Sequence, residues 1–170
     1  MNKIIIFGNS GSGKSTLATE YAAKYGLSHL DLDTIAWEDS IPPQRKPIES
    51  SALIIDKFVC ENPNWVIEGG YADLINLVIG AAQDIIFLNP GVETCLENCK
   101  KRPWEPHKYE SLEKQNENLD MLLAWVKEYP LRNDEFSLQA HQNIFNQYSG
   151  RKIEYKSNHR NSFHMAEHKI

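Results

Sequence analysis

The stretch Gly8-Asn9-Ser10-Gly11-Ser12-Gly13-Lys14-Ser15 constrains this chain more than any other. Glycine, four residues, then Gly-Lys-Ser is the phosphate-loop pattern, and its flanks match that use. Before it, Lys3-Ile4-Ile5-Ile6-Phe7 is a short apolar, β-branched run of the kind found in buried parallel strands. After it, residues 16–25 have helix-forming composition, with Leu17, Tyr21 and Tyr25 on one stripe. The chemistry needs this order. A glycine-rich turn lets backbone N–H groups approach phosphates, and the helix N-terminus that follows favours negative charge. Lys14 can reach the β- and γ-phosphates, and the Ser15 hydroxyl can take a place on Mg²⁺. Nucleotide binding is the reading, with ATP and Mg²⁺ as the cofactors it implies.

With 170 residues the chain can build one domain with a proper core but not two full ones. No apolar run approaches the roughly 20 residues of a membrane span, and the N-terminus lacks a charged-then-apolar signal region. Three cysteines, Cys60, Cys95 and Cys99, make an odd number without CxxC spacing, and no histidine is placed to complete a zinc site. They read as idle thiols in a reducing cytoplasm. The net charge of −5 speaks against a general nucleic-acid binder, which usually carries a basic footprint. Charge is uneven, however. Residues 151–170 hold five Lys/Arg and two Glu, so that end is +3 and the remaining 150 residues are −8.

Along the chain, Gly26 is placed to cap the first helix, and Ser28 to Asp33 reads as a second strand ending in carboxylates. Alternate residues put Asp31 and Asp33 on one face of such a strand, beside the phosphate loop at the carboxyl edge of a parallel sheet. Asp31 is then a candidate for holding a water on Mg²⁺, and Asp33 for orienting or deprotonating an acceptor hydroxyl. The competing reading is that one or both cap the next segment. Residues 34–47 contain Trp37, Pro42, Pro43, Arg45, Lys46 and Pro47, so a long helix is forbidden and a loop-rich flap is expected. Trp37 offers a stacking wall, and Arg45 and Lys46 offer positive charge toward an anionic acceptor. Ser50 to Glu61 reads as a helix at the rim of that site, and the flap as a whole spans about 34–62.

Trp65-Val66-Ile67 reads as a third buried strand, and it ends in Glu68-Gly69-Gly70. A carboxylate at a strand tip, beside backbone without Cβ atoms, suits close approach of a substrate. Ala72 to Ala82 is apolar and helical, Asp84 to Asn89 is a strand stopped by Pro90-Gly91, and Val92 to Lys101 is a helix with a basic end. About 100–110 is lid-like in composition, and Arg102 there can either close over a transferring phosphoryl group or serve only to stabilise the helix dipole. Ser111 to Tyr129 reads as one long amphipathic helix ended by Pro130. Arg132 follows in a return toward the sheet, from which it can contact a γ-phosphate. Asp134 to Tyr148 reads as a helix and Lys152 to Lys156 as the last strand. Asn158 to Ile170, with His159, His164 and His168, reads as a loose polar tail after a single domain over 1–157.

The string of phosphate loop, Asp31-x-Asp33, acidic strand tip and basic lid-like segment resembles the nucleoside-monophosphate-kinase and shikimate-kinase group of P-loop proteins. More closely, GNSGSGKSTLA, LDLDTIAW, WVIEGGY and HKYESLEKQNENLDMLLAWVKEYPLR resemble the "DNA topology modulation" adenylate-kinase-like family, over most of residues 3–156. The resemblance implies a three-layer α/β P-loop NTPase fold with a five-stranded parallel sheet in the order 2-3-1-4-5. The alternation of strands and helices suggests a parallel sheet independently. Carried over, Gly8, Gly11, Ser12, Gly13, Lys14, Ser15 and Thr16 would form the triphosphate cradle. Asp31 and Asp33 match the pair near Mg²⁺ and acceptor, and Glu68-Gly69-Gly70 matches the acceptor-side turn. The chain departs from the family pattern in lacking an Arg shortly after Tyr71 and another on the helix after the fourth strand. Asn89 also stands where an Asp before Pro is common.

These readings make the chain an ATP-dependent phosphotransferase acting on a small hydroxylated molecule or nucleotide in the cytoplasm, with no membrane role. Lys14, Asp33, Arg102 and Arg132 are its expected catalytic residues. Trp37, Arg45, Glu68, Gly69 and Gly70 are expected to face the acceptor, and Ser15 and Asp31 the metal. The missing arginines and the basic C-terminal end motivate an alternative: a nucleotide-binding switch, or a nucleic-acid-associated regulatory protein with weak ATPase activity.

Overall fold

Four consecutive side chains of the first strand, Ile4 to Phe7, are fully buried in the computed structural model, which describes residues 2–106 and 110–160. Alternation sends them to opposite faces of one sheet. Ile5 and Phe7 join Trp65, Ile67, Ile85 and Phe87 in one core, and Ile4 and Ile6 join Val66, Ile86 and Leu88 in another. Burying each such side chain is worth roughly 1.5–3 kcal/mol, and a sheet apolar on both faces needs a helical layer on each. The strands β1 (Lys3–Gly8), β2 (Ser28–Asp31), β3 (Trp65–Gly69), β4 (Asp84–Leu88) and β5 (Arg151–Tyr155) are all parallel, in the order β2-β3-β1-β4-β5.

On one face lies α1 (Lys14–Tyr25), which buries Leu17, Ala18 and Tyr21. The opposite core takes residues from α2 (Ile48–Glu61), α3 (Ala72–Val78) and α7 (Leu138–Gln147). A third small cluster packs Cys95, Leu96 and Cys99 of α4 (Val92–Lys101) against Val126 of α6 (Leu119–Lys127). It lies beside the phosphate loop, because Asn9 Nδ2 donates to the Val126 carbonyl at 3.2 Å.

Three elements differ from the sequence expectation, each for a local reason. The second strand stops at Asp31, and Leu32–Thr34 forms a turn of 3₁₀ helix. Asp31 caps that turn by accepting from the Asp33 amide at 2.9 Å. Asp33 therefore projects from a helical turn rather than from the face of a strand. The single helix expected over 111–129 is two, α5 (Leu112–Glu117) and α6, interrupted at Asn118, whose side chain donates to the Lys114 carbonyl at 3.4 Å. Asparagine amides compete with the backbone in this way and break helices. Residues 134–137 are likewise not helical. Asp134 accepts from the Phe136 amide at 3.0 Å, and Ser137 caps α7 by accepting from Ala140 at 3.0 Å. No helix among the described residues is long and apolar enough to cross a membrane.

Candidate active site

The phosphate loop leaves β1 at Gly8 and enters α1 at Gly13, and its shape depends on glycine. Gly13, the residue before the helix, has φ +88°, and no side chain among the described residues caps the helix there. The first amides of α1 thus have no intrahelical acceptor and face the cleft as donors. Gly11, with φ +75°, lies so close to α4 that a Cβ would sit 2.6 Å from Cys99 Sγ and overlap the Cys95 carbonyl. Burial pushes the Cys95 thiol up to about 11 and the Cys99 thiol upward as well, so these sulfurs pack and do not attack. Asn98 Nδ2 donates to the Gly11 carbonyl at 2.8 Å, and the Lys14 ammonium donates to the Asn9 carbonyl at 2.9 Å. The Ser12 hydroxyl is buried with no hydrogen-bond partner among the described residues. A positive-φ loop, an uncapped helix start and an orphaned hydroxyl together fit a polyphosphate.

A cleft of about 520 Å³ opens over this loop. Lys14, Ser15, Thr16, Asp33, Arg102 and Arg160 line it, so the loop lysine, the Asp33 carboxylate and the arginine that follows α4 share one space. Arg102 follows α4, where it pairs with Glu105 at 3.4 Å. His107, Lys108 and Tyr109 of the expected lid lie outside the described residues, as do His164 and His168 of the expected tail. Arg132 is not among the residues lining the cleft. Its guanidinium lies 3.4 Å from the centre of the Trp125 ring and pairs with Asp134 at 3.2 Å, because the chain after α6 turns it back onto that helix.

On the other side of β1, the tips of β2 and β3 carry the acids. Asp31 and Glu68 are register partners. The Glu68 carboxyl is pushed up to about 7, chiefly by burial and next by the Asp31 charge, with Lys14 and the Ser15 hydroxyl pulling the other way. Its Oε1 is buried without a hydrogen-bond partner among the described residues, and His29 Nε2 stands 3.9 Å away. Among the described residues no three His, Cys, Asp or Glu side chains come close enough to hold a metal alone. An all-oxygen set of one hydroxyl and one or two carboxylates suits Mg²⁺, which takes its remaining ligands from phosphates and water.

Asp33 is held by a relay that sequence reasoning did not contain. Trp37 Nε1 donates to Tyr71 Oη at 2.7 Å, and Tyr71 Oη donates to Asp33 Oδ1 at 2.6 Å. Burial and the Asp33 charge both push the Tyr71 phenol upward, so it keeps its proton and remains a donor. Arg45 braces the same flap. It donates to Asp73 at 2.8 Å and Glu135 at 2.9 Å, and its guanidinium stacks over the rings of Trp37, Tyr71 and Phe136. Its charge, expected to meet an anionic acceptor, meets two carboxylates of the chain instead. Lys46 donates its backbone amide to the Ala36 carbonyl at 3.0 Å.

The turn Gly69-Gly70 closes over the loop, and a Cβ on Gly69 would stand 2.8 Å from Leu32. His141 holds this turn from below, with Nε2 at 3.0 Å from the Gly70 carbonyl and Nδ1 at 2.8 Å from Tyr129 Oη. A carbonyl can only accept, so Nε2 carries the proton and Nδ1 accepts from the tyrosine. The signal for His141 in the sequence was one histidine on an apolar helix face.

The fold has known counterparts. A shikimate kinase from Acinetobacter baumannii, solved in complex with shikimate, superposes with a TM-score of 0.54 at 13% identity, covering 94% of this chain and 86% of that one. A shikimate kinase from Bacteroides thetaiotaomicron gives a TM-score of 0.46 at 18% identity, covering 85% of this chain and 97% of that one. No protein-family model matches the chain, and no curated protein is similar to it in sequence. At such identities the likeness is one of fold. The expected five-stranded order 2-3-1-4-5 is the one observed.

Proposed function

We propose that the chain is an ATP-dependent phosphotransferase that moves the γ-phosphoryl group of ATP to a hydroxyl of a small molecule. The observation that carries this reading is the shared cleft of Lys14, Ser15, Asp33 and Arg102 over a loop shaped for a polyphosphate. A loose phosphoryl-transfer transition state asks mainly for alignment and charge compensation. Lys14 and Arg102 supply positive charge to the transferring group. Asp33 accepts the proton of the attacking hydroxyl as its oxygen bonds to phosphorus and the bond to ADP breaks. Tyr71 and Trp37 fix the angle at which Asp33 meets that hydroxyl, and Gly69-Gly70 forms the floor on which the acceptor lies. Ser15, with Asp31 or Glu68 through water, would hold Mg²⁺, which neutralises phosphate charge when bound.

The fold of the shikimate kinases agrees with a kinase, and the motif resemblance to the "DNA topology modulation" family agrees with it too. Neither names the acceptor. Screening ATP consumption against a panel of hydroxylated metabolites and nucleoside monophosphates tests the reading. Acceptor-dependent ADP release that falls at least a hundredfold in Lys14→Ala is expected, since a single phosphate-contacting cation can be worth about 10³-fold or more in rate. Turnover undiminished by that substitution, or ATP binding with no acceptor-dependent release, would overturn it.

A further inference from the structure

The segment after β5 reads in sequence as the start of a loose tail, yet Asn158 and Arg160 line the cleft over the phosphate loop. Asn158 and Asn98 exchange reciprocal amide hydrogen bonds, each 3.0 Å long, and Asn98 in turn donates to the Gly11 carbonyl. This pairing delivers Arg160 to the start of α1. There Arg160 Nη2 stands 3.4 Å from the carbonyls of both Ser12 and Gly13, and a Cβ on Gly13 would overlap it. Both bonds are long, and Nε is buried with no hydrogen-bond partner among the described residues.

The position is electrostatically unfavourable by itself. A guanidinium at a helix N-terminus meets the positive end of the helix dipole. Among the described residues, Lys14, Lys101 and Arg102 line the same cleft with the acids Asp33 and Glu105, and Glu105 pairs with Arg102. An anion between Arg160 and the α1 amides would attract both and offset these repulsions. Topology says which phosphate group meets it. In the order β2-β3-β1-β4-β5, the acceptor-side acids are on the β2 and β3 tips and Arg160 arrives from β5, across β1. The γ-phosphoryl group must face the acids, so the far side of the loop meets the phosphate nearest the nucleoside.

We propose that Arg160 is a phosphate-binding residue of the nucleotide site and contacts the phosphate adjoining the nucleoside. This rests on the loop holding a nucleotide, so the test separates the two. ATP, ADP and inorganic tripolyphosphate are titrated calorimetrically into the full chain, into Arg160→Ala and Arg160→Gln, and into Arg160→Lys. The first two substitutions should weaken ATP and ADP by the same factor, tenfold or more, as expected for one charge-assisted hydrogen bond. Tripolyphosphate should weaken as well, and Arg160→Lys should regain part of each loss.

Three results would overturn the assignment while leaving the nucleotide reading intact. One is ADP affinity within twofold of the unaltered chain in both the Ala and Gln variants. Another is loss for ADP with none for tripolyphosphate, which would mark a contact to the base. The third is a loss that grows from ADP to ATP, which would mark a distorted loop. If the unaltered chain binds none of the three ligands, the nucleotide reading fails and this assignment fails with it.

Discussion

Glu68 and His141 are both buried, lie on either side of the Gly69-Gly70 turn, and titrate in opposite directions. Burial raises the Glu68 carboxyl from its ordinary 4.5 to about 7, so the fold holds its proton better than the unfolded chain does. That stabilisation is complete below pH 4.5 and is lost as pH rises through 7. Burial lowers His141 from its ordinary 6.5 to about 4, which stabilises the fold above pH 6.5 and is lost as pH falls through 4. Between 4.5 and 6.5 the two effects oppose each other. Glu68→Gln keeps the shape of the neutral acid and removes its titration. Relative to the unaltered chain it should therefore change stability little at pH 4.5 and gain steadily as pH rises to 8. The full gain is on the order of 3 kcal/mol, from 1.36 kcal/mol per pKa unit. Urea midpoints of both proteins at pH 4.5, 6 and 8 measure it, and a difference that stays flat with pH would show that Glu68 is not raised.

At the scale of elements, α7 is where a short polar signal decides a long-range contact. Ser137 is buried, and its hydroxyl accepts from the Ala140 amide one turn above. The helix it starts carries His141 to the Gly70 carbonyl. Ser137→Ala should cost about 1 kcal/mol, the usual loss for an N-cap, while Ser137→Thr retains most of the stability. Chemical denaturation separates the two, and equal losses would mean that the hydroxyl is not the cap. The same element shows what sequence could and could not reveal. The helix expected over 134–148 agrees with α7 except at its start, since an Asx turn and an N-cap both use small polar residues. β1, β3 and β4 were legible because each is a short apolar run buried on both faces. The Asp33–Tyr71–Trp37 relay was not, because its members stand 38 and 34 residues apart and no local period links them. Arg45 was legible as a charge but not as one already paired, for the same reason.

Across the whole molecule, the site lies at the carboxyl ends of the strands, and one ion pair guards the opposite edge of the sheet. The position of Arg160 escaped sequence reading because the segment that carries it is polar throughout and owes its course to Asn98, 60 residues earlier. β5 is what brings that segment to the cleft. Its first residue, Arg151, pairs through Nε and Nη2 with Asp84, the first residue of β4, whose side chain is only 2% exposed. Arg151→Met strands a buried carboxylate. A fully buried pair broken in this way costs about 3–5 kcal/mol, and since Arg151 is 40% exposed the expectation here is nearer 2 kcal/mol. Asp84→Asn combined with Arg151→Met should lose less than Arg151→Met alone, since the buried charge is gone. The other end of β5 keeps its own anchor, the Asn89 amide donating to the Tyr155 carbonyl at 2.8 Å, on the side of the sheet where Arg160 meets the loop. Stability and ligand affinity should therefore separate. Arg151→Met should melt lower while its affinity for ADP, measured well below its melting point, stays within twofold of the unaltered chain. A matching loss of affinity would show instead that the edge strand holds its place in the cleft through the Asp84 pair.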